Sequence, residues 1–269
     1  MDKNVERITA ILKQTHGIDI SCYNEIFLTR TIERQVIAAN LPSVQEYAGL
    51  LEENKAEANR LYDLLNITYS EFFRNPFTFE VLSQVILPQV LKNKKEVRIW
   101  SAACAGGQEP YSIAIVCDEI TAALNKKPVI RLFASDINQT ELQIAEAGIY
   151  NESSLGNVSL KRLKKYFATE GDKYKVIADL KTNISFSEFN LCGKENSVPP
   201  ASIYGNFDLV FCSNLLFYFK PEYRQRIMKK ITGSLAPEGY LITGEAEAGM
   251  VDDKLYRAIF SMASVFQKR

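Results

Sequence analysis

Histidine is almost missing from this chain: His16 is the only one in 269 residues. The main body of the protein therefore has no imidazole for a serine–histidine–acid triad or for a zinc site built on Cys/His pairs. Cysteine is sparse as well. The five residues Cys22, Cys104, Cys117, Cys192 and Cys212 are odd in number, scattered, and mostly set in apolar surroundings. That is the pattern of reduced, buried thiols in a cytoplasmic protein and not of a disulfide framework. Excess charge is lacking too, because 32 basic side chains balance 32 acidic ones. No bulk affinity for nucleic acid or for a membrane surface follows. No apolar run is long enough to span a bilayer, and the charged start Asp2–Arg7 lacks the apolar core of a signal peptide. The G-x-G-x-x-G spacing is absent, so a nicotinamide or flavin site has no direct support. Tandem repeats and low-complexity tails are also missing.

What is present is organised around Val97–Leu124. Val97-Arg98-Ile99-Trp100 reads as a buried strand. Ser101 to Gly107 are all small residues, and Gln108-Glu109-Pro110 leads into the helical pattern Tyr111–Val116. Pro110 suits the first turn of a helix, where its missing N–H costs nothing. A strand, a small-residue turn and a helix N-terminus make a nucleotide-type cofactor site, because small residues let backbone N–H groups approach the ligand. Glu109 at the mouth of the turn repels a pyrophosphate but suits an ammonium, a sulfonium or ribose hydroxyls. Taken alone, Glu109 is a helix N-terminal acid favoured by the macrodipole. The next strand, Val129–Ser135, runs into Asp136, the usual position of a ribose acceptor in such folds. The two acids together favour the ligand reading.

The remaining pattern is ordered. Residues up to about Asn66 are helical throughout. Val5, Ile8, Ile11 and Leu12 share one face; a second helix covers Ile26–Ala39; Ser43 and Glu46 form a capping box opening a third; a fourth covers Glu57–Leu65. Arg30 and Arg34 lie on one face of the second helix, which from the residues alone is a solvated basic face. Phe77–Leu91 reads as a helix. From Val97 strands and helices alternate: Val97–Ala102, Pro110–Leu124, Val129–Ser135, and Gln139–Ala147 with Asn138 as N-cap. That rhythm implies a parallel sheet with right-handed crossovers. It breaks between Tyr150 and about Thr182, which reads as an insertion, with a basic helix Leu160–Phe167. Tyr174–Ile177 and Ile184–Ser187 read as short antiparallel strands, with the main sheet resuming through Ile184–Phe189. A strand Asp208–Cys212, a helix Pro221–Ser234, a strand Tyr240–Thr243 and a terminal hairpin of Tyr256–Phe260 with Ala263–Gln267 complete the chain. The insertion lies outside the sheet rhythm and is expected to be dispensable for cofactor binding.

Five stretches in series carry a family resemblance: Ser70-Glu71-Phe72-Phe73-Arg74, Ile99–Ala103 with Gly107–Ser112, Ala134-Ser135-Asp136-Ile137, Phe207–Asn214, and Phe217-Tyr218-Phe219. In order and spacing the chain resembles the CheR-type chemotaxis receptor methyltransferases over nearly its whole length. The resemblance implies an α/β fold, with a Rossmann-like S-adenosylmethionine methyltransferase sheet domain over 76–269, a small β-subdomain inserted at about 150–182, and an N-terminal helical domain with linker over 1–75. It implies S-adenosylmethionine as cofactor and S-adenosylhomocysteine as product. Thr68, Ser70, Arg74, Ala103, Glu109, Asp136, Asn190, Leu191, Ser213 and Asn214 would bind the cofactor. Tyr218 and Arg74 would be catalytic, and no metal is expected. The arginine fork suits the methionyl carboxylate. From the residues alone, Tyr218 is one more aromatic between Phe217 and Phe219, burying area; the resemblance makes it the group that orients the acceptor. The resemblance also implies a cytoplasmic monomer. Its partner would be a protein acceptor, a receptor coiled coil facing the basic second helix and the inserted subdomain, with no nucleic acid and a membrane met only through that receptor.

The expected reaction forms glutamate methyl esters. A sulfonium donor leaves as a neutral thioether and a glutamate nucleophile is already ionised near neutral pH. Neither acid nor base is then required, in keeping with the shortage of histidine, and catalysis comes from in-line placement and exclusion of water. Three positions depart from the family pattern. Ser213 stands where an arginine is usual, Gln108 replaces an acid, and Gly244-Glu245-Ala246-Glu247 replaces Gly-His-Ser-Glu. The cofactor half is kept and the acceptor half altered. Two further readings therefore stay open: a cofactor-binding signalling or scaffold protein of little activity, and a methyltransferase with another acceptor.

Overall fold

The computed structural model describes residues 2–124, 128–193 and 196–269. The chain forms two compact units, Met1–Ile67 with Leu216–Arg226, and Thr68–Leu215 with Ile227–Arg269.

The first unit is helical. Its helices are α1 (Lys3–His16), α2 (Glu25–Ala38), α3 (Val44–Glu53) and α4 (Lys55–Leu65). Short polar residues start each one. The side chains of Asp2, Asn24, Ser43 and Asn54 accept backbone N–H groups of Asn4, Phe27, Glu46 and Glu57, satisfying donors that a helix start leaves unpaired. Gly17, at φ 73°, ends α1 in the left-handed region, where a Cβ is penalised. Ile8, Leu12, Leu28, Ile32, Tyr47, Leu51 and Leu61 bury one stripe per helix. His16 ties α1 to α3 through a 2.6 Å contact with the Leu51 carbonyl, so the one histidine is structural. Arg30 and Arg34 are exposed on α2, as are Ile26 and Ile37.

A distant stretch completes this unit. The Asn24 backbone N–H donates to the Tyr218 carbonyl at 2.8 Å and the Asn24 amide donates to that of Phe217. Tyr23 stacks on Phe219 with centroids 5.3 Å apart, and Phe27 tilts against Tyr218 at 4.9 Å.

The second unit carries a seven-stranded sheet in the order β6-β2-β1-β7-β8-β10-β9. Its strands are β1 (Glu96–Ala102), β2 (Val129–Asp136), β6 (Ile184–Glu188), β7 (Phe207–Cys212), β8 (Leu235–Thr243), β9 (Tyr256–Phe260) and β10 (Val265–Lys268). The first five in this spatial order are parallel, while β10 is antiparallel to both β8 and β9. Near-continuous apolar runs such as Phe207–Cys212, buried at every position, are what a sheet covered on both faces demands. The helices of this unit include α7 (Gln108–Thr121), α8 (Gln139–Ala147) and α11 (Pro221–Ser234), the last beginning in the other unit.

The sequence predicts one helix over Phe77–Leu91. The structure has α5 (Pro76–Val81), a π turn Leu82–Ile86, and α6 (Leu87–Asn93). The cause is Pro88, which lacks an N–H and whose ring would clash with the carbonyl four residues back. The wider turn just before it absorbs that clash.

The insertion is a three-stranded antiparallel sheet, β3-β5-β4, of β3 (Ile149–Asn151), β4 (Phe167–Glu170) and β5 (Lys173–Val176), with α9 (Leu160–Tyr166) and α10 (Ala178–Lys181). Two sequence expectations need correction here. Phe167 is not in the helix but opens β4. Ile184–Ser187 is not an antiparallel partner of Tyr174–Ile177 but runs parallel to β2, with Ala134 opposite Phe186. A short apolar run looks the same in either setting, so pairing direction was not legible locally. Lys181 closes α8 by donating to the Glu146 and Ala147 carbonyls.

Candidate functional site

The sheet reverses its winding between β1 and β7. Chains leaving the carboxyl ends of these two strands diverge to opposite sides, and such a crevice is where open α/β sheets bind ligands. Two turns frame it: Ala103–Gly107 after β1 and Ser213–Leu215 after β7.

The first turn is tightly wound. Ala103, Ala105 and Gly107 have φ of 62°, 44° and 90°. Side chains larger than alanine would add to the strain of the left-handed region. A Cβ on Gly107 would lie 2.7 Å from the Ala145 Cβ of α8, so only glycine lets α7 start so close to α8. Asp136, at the end of β2, locks this turn: its carboxylate accepts the Ala105 N–H at 2.8 Å and the Asn138 N–H at 2.9 Å. Burial raises its pKa, and these backbone donors oppose the rise. Phe189 donates to the Asp136 carbonyl at 2.8 Å, bringing Asn190 and Leu191 alongside.

Glu109 stands in the first turn of α7. Ser101 donates to it at 2.6 Å and the Ser213 hydroxyl donates from the second turn. Burial pushes its carboxyl up to about 7, while those two hydroxyls and the charge of Arg74 pull it back. Arg74 follows Phe73 and precedes Asn75, both at positive φ. Its guanidinium lies 5.3 Å from the Tyr69 ring centre and donates to the Tyr69 carbonyl at 3.3 Å.

The second turn is held by Glu247, which sequence reasoning missed as a site residue. Its side chain is fully buried and accepts the N–H groups of Asn214 at 2.7 Å, Leu215 at 2.6 Å and Gly244 at 2.8 Å. The only hint in the sequence was the short acid-bearing motif Gly244–Glu247 after a strand.

The second unit thus brings Ser213 and the charge of Arg74 to Glu109, sets Asp136 on the first framing turn, places Ala103 and Asn214 on the two framing turns, and leaves Asn190 and Leu191 directly after the residue bonded to Asp136. Thr68 is exposed and Ser70 half-buried on the segment leading to Arg74. Tyr218 is held within the first unit. Cys104 and Cys212 lie beneath the crevice with their thiols pushed well up by burial, which leaves them inert. Two carboxylates whose charge burial disfavours, facing a turn without a pyrophosphate cradle, fit a ligand bringing positive charge and hydroxyl donors.

A parallel sheet reversed at β1/β7, an acid closing β2, a second acid opening α7 and an antiparallel strand inserted near the far edge define a Rossmann-like methyltransferase domain. The comparison with known families agrees. Residues 68–264 match the CheR methyltransferase SAM binding domain, and residues 3–65 match the CheR methyltransferase all-alpha domain. The chain belongs to the CheR methyltransferase family, and its cofactor is S-adenosylmethionine. It is 30% identical over 250 residues to chemotaxis protein methyltransferase 1 of Pseudomonas aeruginosa, spanning 90% of this chain and 89% of the relative. It is 30% identical over 264 residues to the chemotaxis protein methyltransferase of Vibrio parahaemolyticus, spanning 93% and 92%. Against the Salmonella typhimurium protein of that description the identity is 31% over 253 residues, spanning 91% and 84%. Among the described residues no helix is long and apolar enough to cross a membrane.

Proposed function

We propose that this protein methylates glutamate side chains of a chemoreceptor-type signalling protein, forming methyl esters. The observation that supports the reading is the pair of acids at the crevice, Asp136 closing β2 and Glu109 opening α7, with the charge of Arg74 acting on Glu109. In this assignment Asp136 takes the ribose hydroxyls, Glu109 the ammonium and Arg74 the methionyl carboxylate. Asn190, Leu191 and Asn214 border the adenosine, while Ala103, Thr68 and Ser70 line the pocket. When bound, the cofactor supplies a methyl group on a sulfonium. The protein's own part is to orient the acceptor carboxylate, for which Tyr218 is the assigned group, and to keep water out. The boundaries 1–75 for the helical domain with its linker and 76–269 for the sheet domain belong to the same proposal, as does a receptor coiled coil as partner. Transfer of labelled methyl to a receptor in alkali-labile form is the test. Label released only by acid hydrolysis of the peptide would exclude an ester.

A different acceptor is the second reading, and one observation favours it. Ser213 replaces the usual arginine, and its hydroxyl is already engaged with Glu109, so this position offers an incoming carboxylate no positive charge.

Glu109 makes the assignment testable by pH. Its carboxyl lies near 7 in the folded protein against an ordinary value of 4.5. Stability from the buried neutral form is present below the ordinary value and lost as pH rises through about 7. Without cofactor, Glu109→Gln should therefore gain on the parent in thermal stability as pH climbs from about 5 to about 8. Cofactor affinity should run the opposite way, because the ammonium needs the carboxylate. Binding of S-adenosylhomocysteine to the parent should strengthen with pH, approaching about tenfold per unit well below 7, then level off. The glutamine variant should bind more weakly with no such slope. A parent affinity independent of pH by titration calorimetry would remove Glu109 from the ligand.

A further inference from the structure

The three residues before Arg74 are each gripped by the inserted segment. The Asn157 amide donates to the Glu71 carboxylate at 3.2 Å. Phe72 is fully buried and meets the edges of Tyr150 and Phe167, with centroids 4.9 and 5.3 Å away. The Arg162 guanidinium lies 4.3 Å from the centre of the Phe73 ring. It is fixed there by Glu119 of α7, which accepts from Nε at 3.1 Å and from Nη2 at 2.8 Å. The Phe73 N–H donates to the Ser112 hydroxyl, also on α7, at 2.9 Å. Phe73 and Asn75 both hold positive φ, at 51° and 58°. A non-glycine residue keeps that conformation only where its surroundings impose it. The inserted segment reaches the other wall of the crevice as well. The buried Tyr150 hydroxyl donates to the Gly106 carbonyl at 2.7 Å, inside the turn that follows β1.

We propose that Arg162 and Tyr150 are positioning residues of the cofactor site: Arg162 fixes the strained Phe73–Asn75 segment that carries Arg74, and Tyr150 fixes the Ala103–Gly107 turn. The inserted subdomain is thus a structural part of the cofactor site. This inference departs from the expectation that it is dispensable for cofactor binding, which rested on its place outside the sheet rhythm and could not register contacts between segments distant in sequence. The inference rests on the assignment of Arg74 to the cofactor. It also has a consequence for coupling. Anything that shifts α9 or β3 on docking changes the affinity for the cofactor, and by linkage the cofactor changes the affinity for that partner.

Titration calorimetry of the full chain with S-adenosylhomocysteine tests this, with folding of each variant checked by circular dichroism. Arg162→Ala should weaken binding about tenfold, the partial loss of one charge-assisted interaction at Arg74. In an Arg74→Ala background the same change should have little further effect, because the group it positions is gone. Arg162→Lys keeps the charge but not the planar fork over Phe73, and should restore only part of the affinity. Tyr150→Phe keeps the ring against Phe72 and should weaken binding about threefold to fivefold, the worth of one neutral hydrogen bond. Affinity unchanged in folded Arg162→Ala and Tyr150→Phe overturns the proposal. So does an equal loss from Arg162→Ala in both backgrounds, which marks mere packing. If Arg74→Ala itself leaves affinity unchanged, the assignment of Arg74 fails, and Arg162's positioning role with it.

Discussion

Replacing Glu247 with alanine should cost about 3–5 kcal/mol of folding stability, a large part of the roughly 5–15 kcal/mol that holds a domain together. The side chain has no exposed surface, and its carboxylate accepts three backbone N–H groups between 2.6 and 2.8 Å. Such charge-assisted bonds are among the stronger ones. Truncation leaves the Asn214, Leu215 and Gly244 donors facing a cavity, and each unpaired buried donor costs about 1–3 kcal/mol. Repair by movement is hindered, because even a Cβ on Gly244 would lie 3.0 Å from the Asn214 nitrogen. Glu247→Gln separates charge from shape. It fills the space but turns an NH2 toward a backbone donor, so it should lose nearly as much as alanine. Denaturant melts of both variants give the answer, and a loss below about 1 kcal/mol for alanine would mean that solvent replaces the carboxylate. Asn214 has φ of 60°, so the loosened turn should also relax away from that strained conformation, carrying Ser213 off Glu109.

Glu247 shows where the sequence stops being legible. A single acid a few residues after a strand has no periodicity, and although Gly244 is three residues away, its two other partners lie 32 and 33 residues earlier. Glu109 and Asp136 were readable because local grammar placed them, one at a helix start after small residues, the other at the end of an alternating element. Asn138 was readable for the same reason, and it caps α8 as expected, accepting the Thr140 and Glu141 N–H groups. The left-handed turn was half-legible. Gly107 announced itself, but Ala103 and Ala105 reach positive φ without a glycine's signature. Arg162 read as one of several surface charges on a basic helix, and nothing in its neighbours tells of Phe73 or Glu119. Local rules therefore exposed the side chains assigned here to the ligand, whereas those that hold the framing turns from behind depend on contacts between distant segments.

Under the proposed assignment Asp136 combines both kinds of role, which makes Asp136→Ala the expected severest change to cofactor binding. Its carboxylate locks the β1 turn through the Ala105 N–H, and under the proposed assignment it also accepts the ribose hydroxyls. Two hydrogen bonds from hydroxyls to a charged acceptor are worth about 1.5–3 kcal/mol each. Losing both corresponds to a drop of roughly a hundredfold to ten-thousandfold in affinity for S-adenosylhomocysteine. Asp136→Asn keeps the size and one oxygen. Holding that oxygen toward Ala105 keeps that bond, while the amide NH2 replaces the oxygen that accepts the Asn138 N–H and cannot accept from a ribose hydroxyl, so the loss should be intermediate, on the order of tenfold to a hundredfold. The comparison tells the two roles apart. If the asparagine variant binds as weakly as alanine while melting like the parent, direct contact with the ribose dominates. If it binds like the parent and only alanine fails, Asp136 acts by shaping the turn, and the ribose is held by other groups. Affinity within about threefold of the parent in a folded Asp136→Ala protein would place the ribose elsewhere altogether.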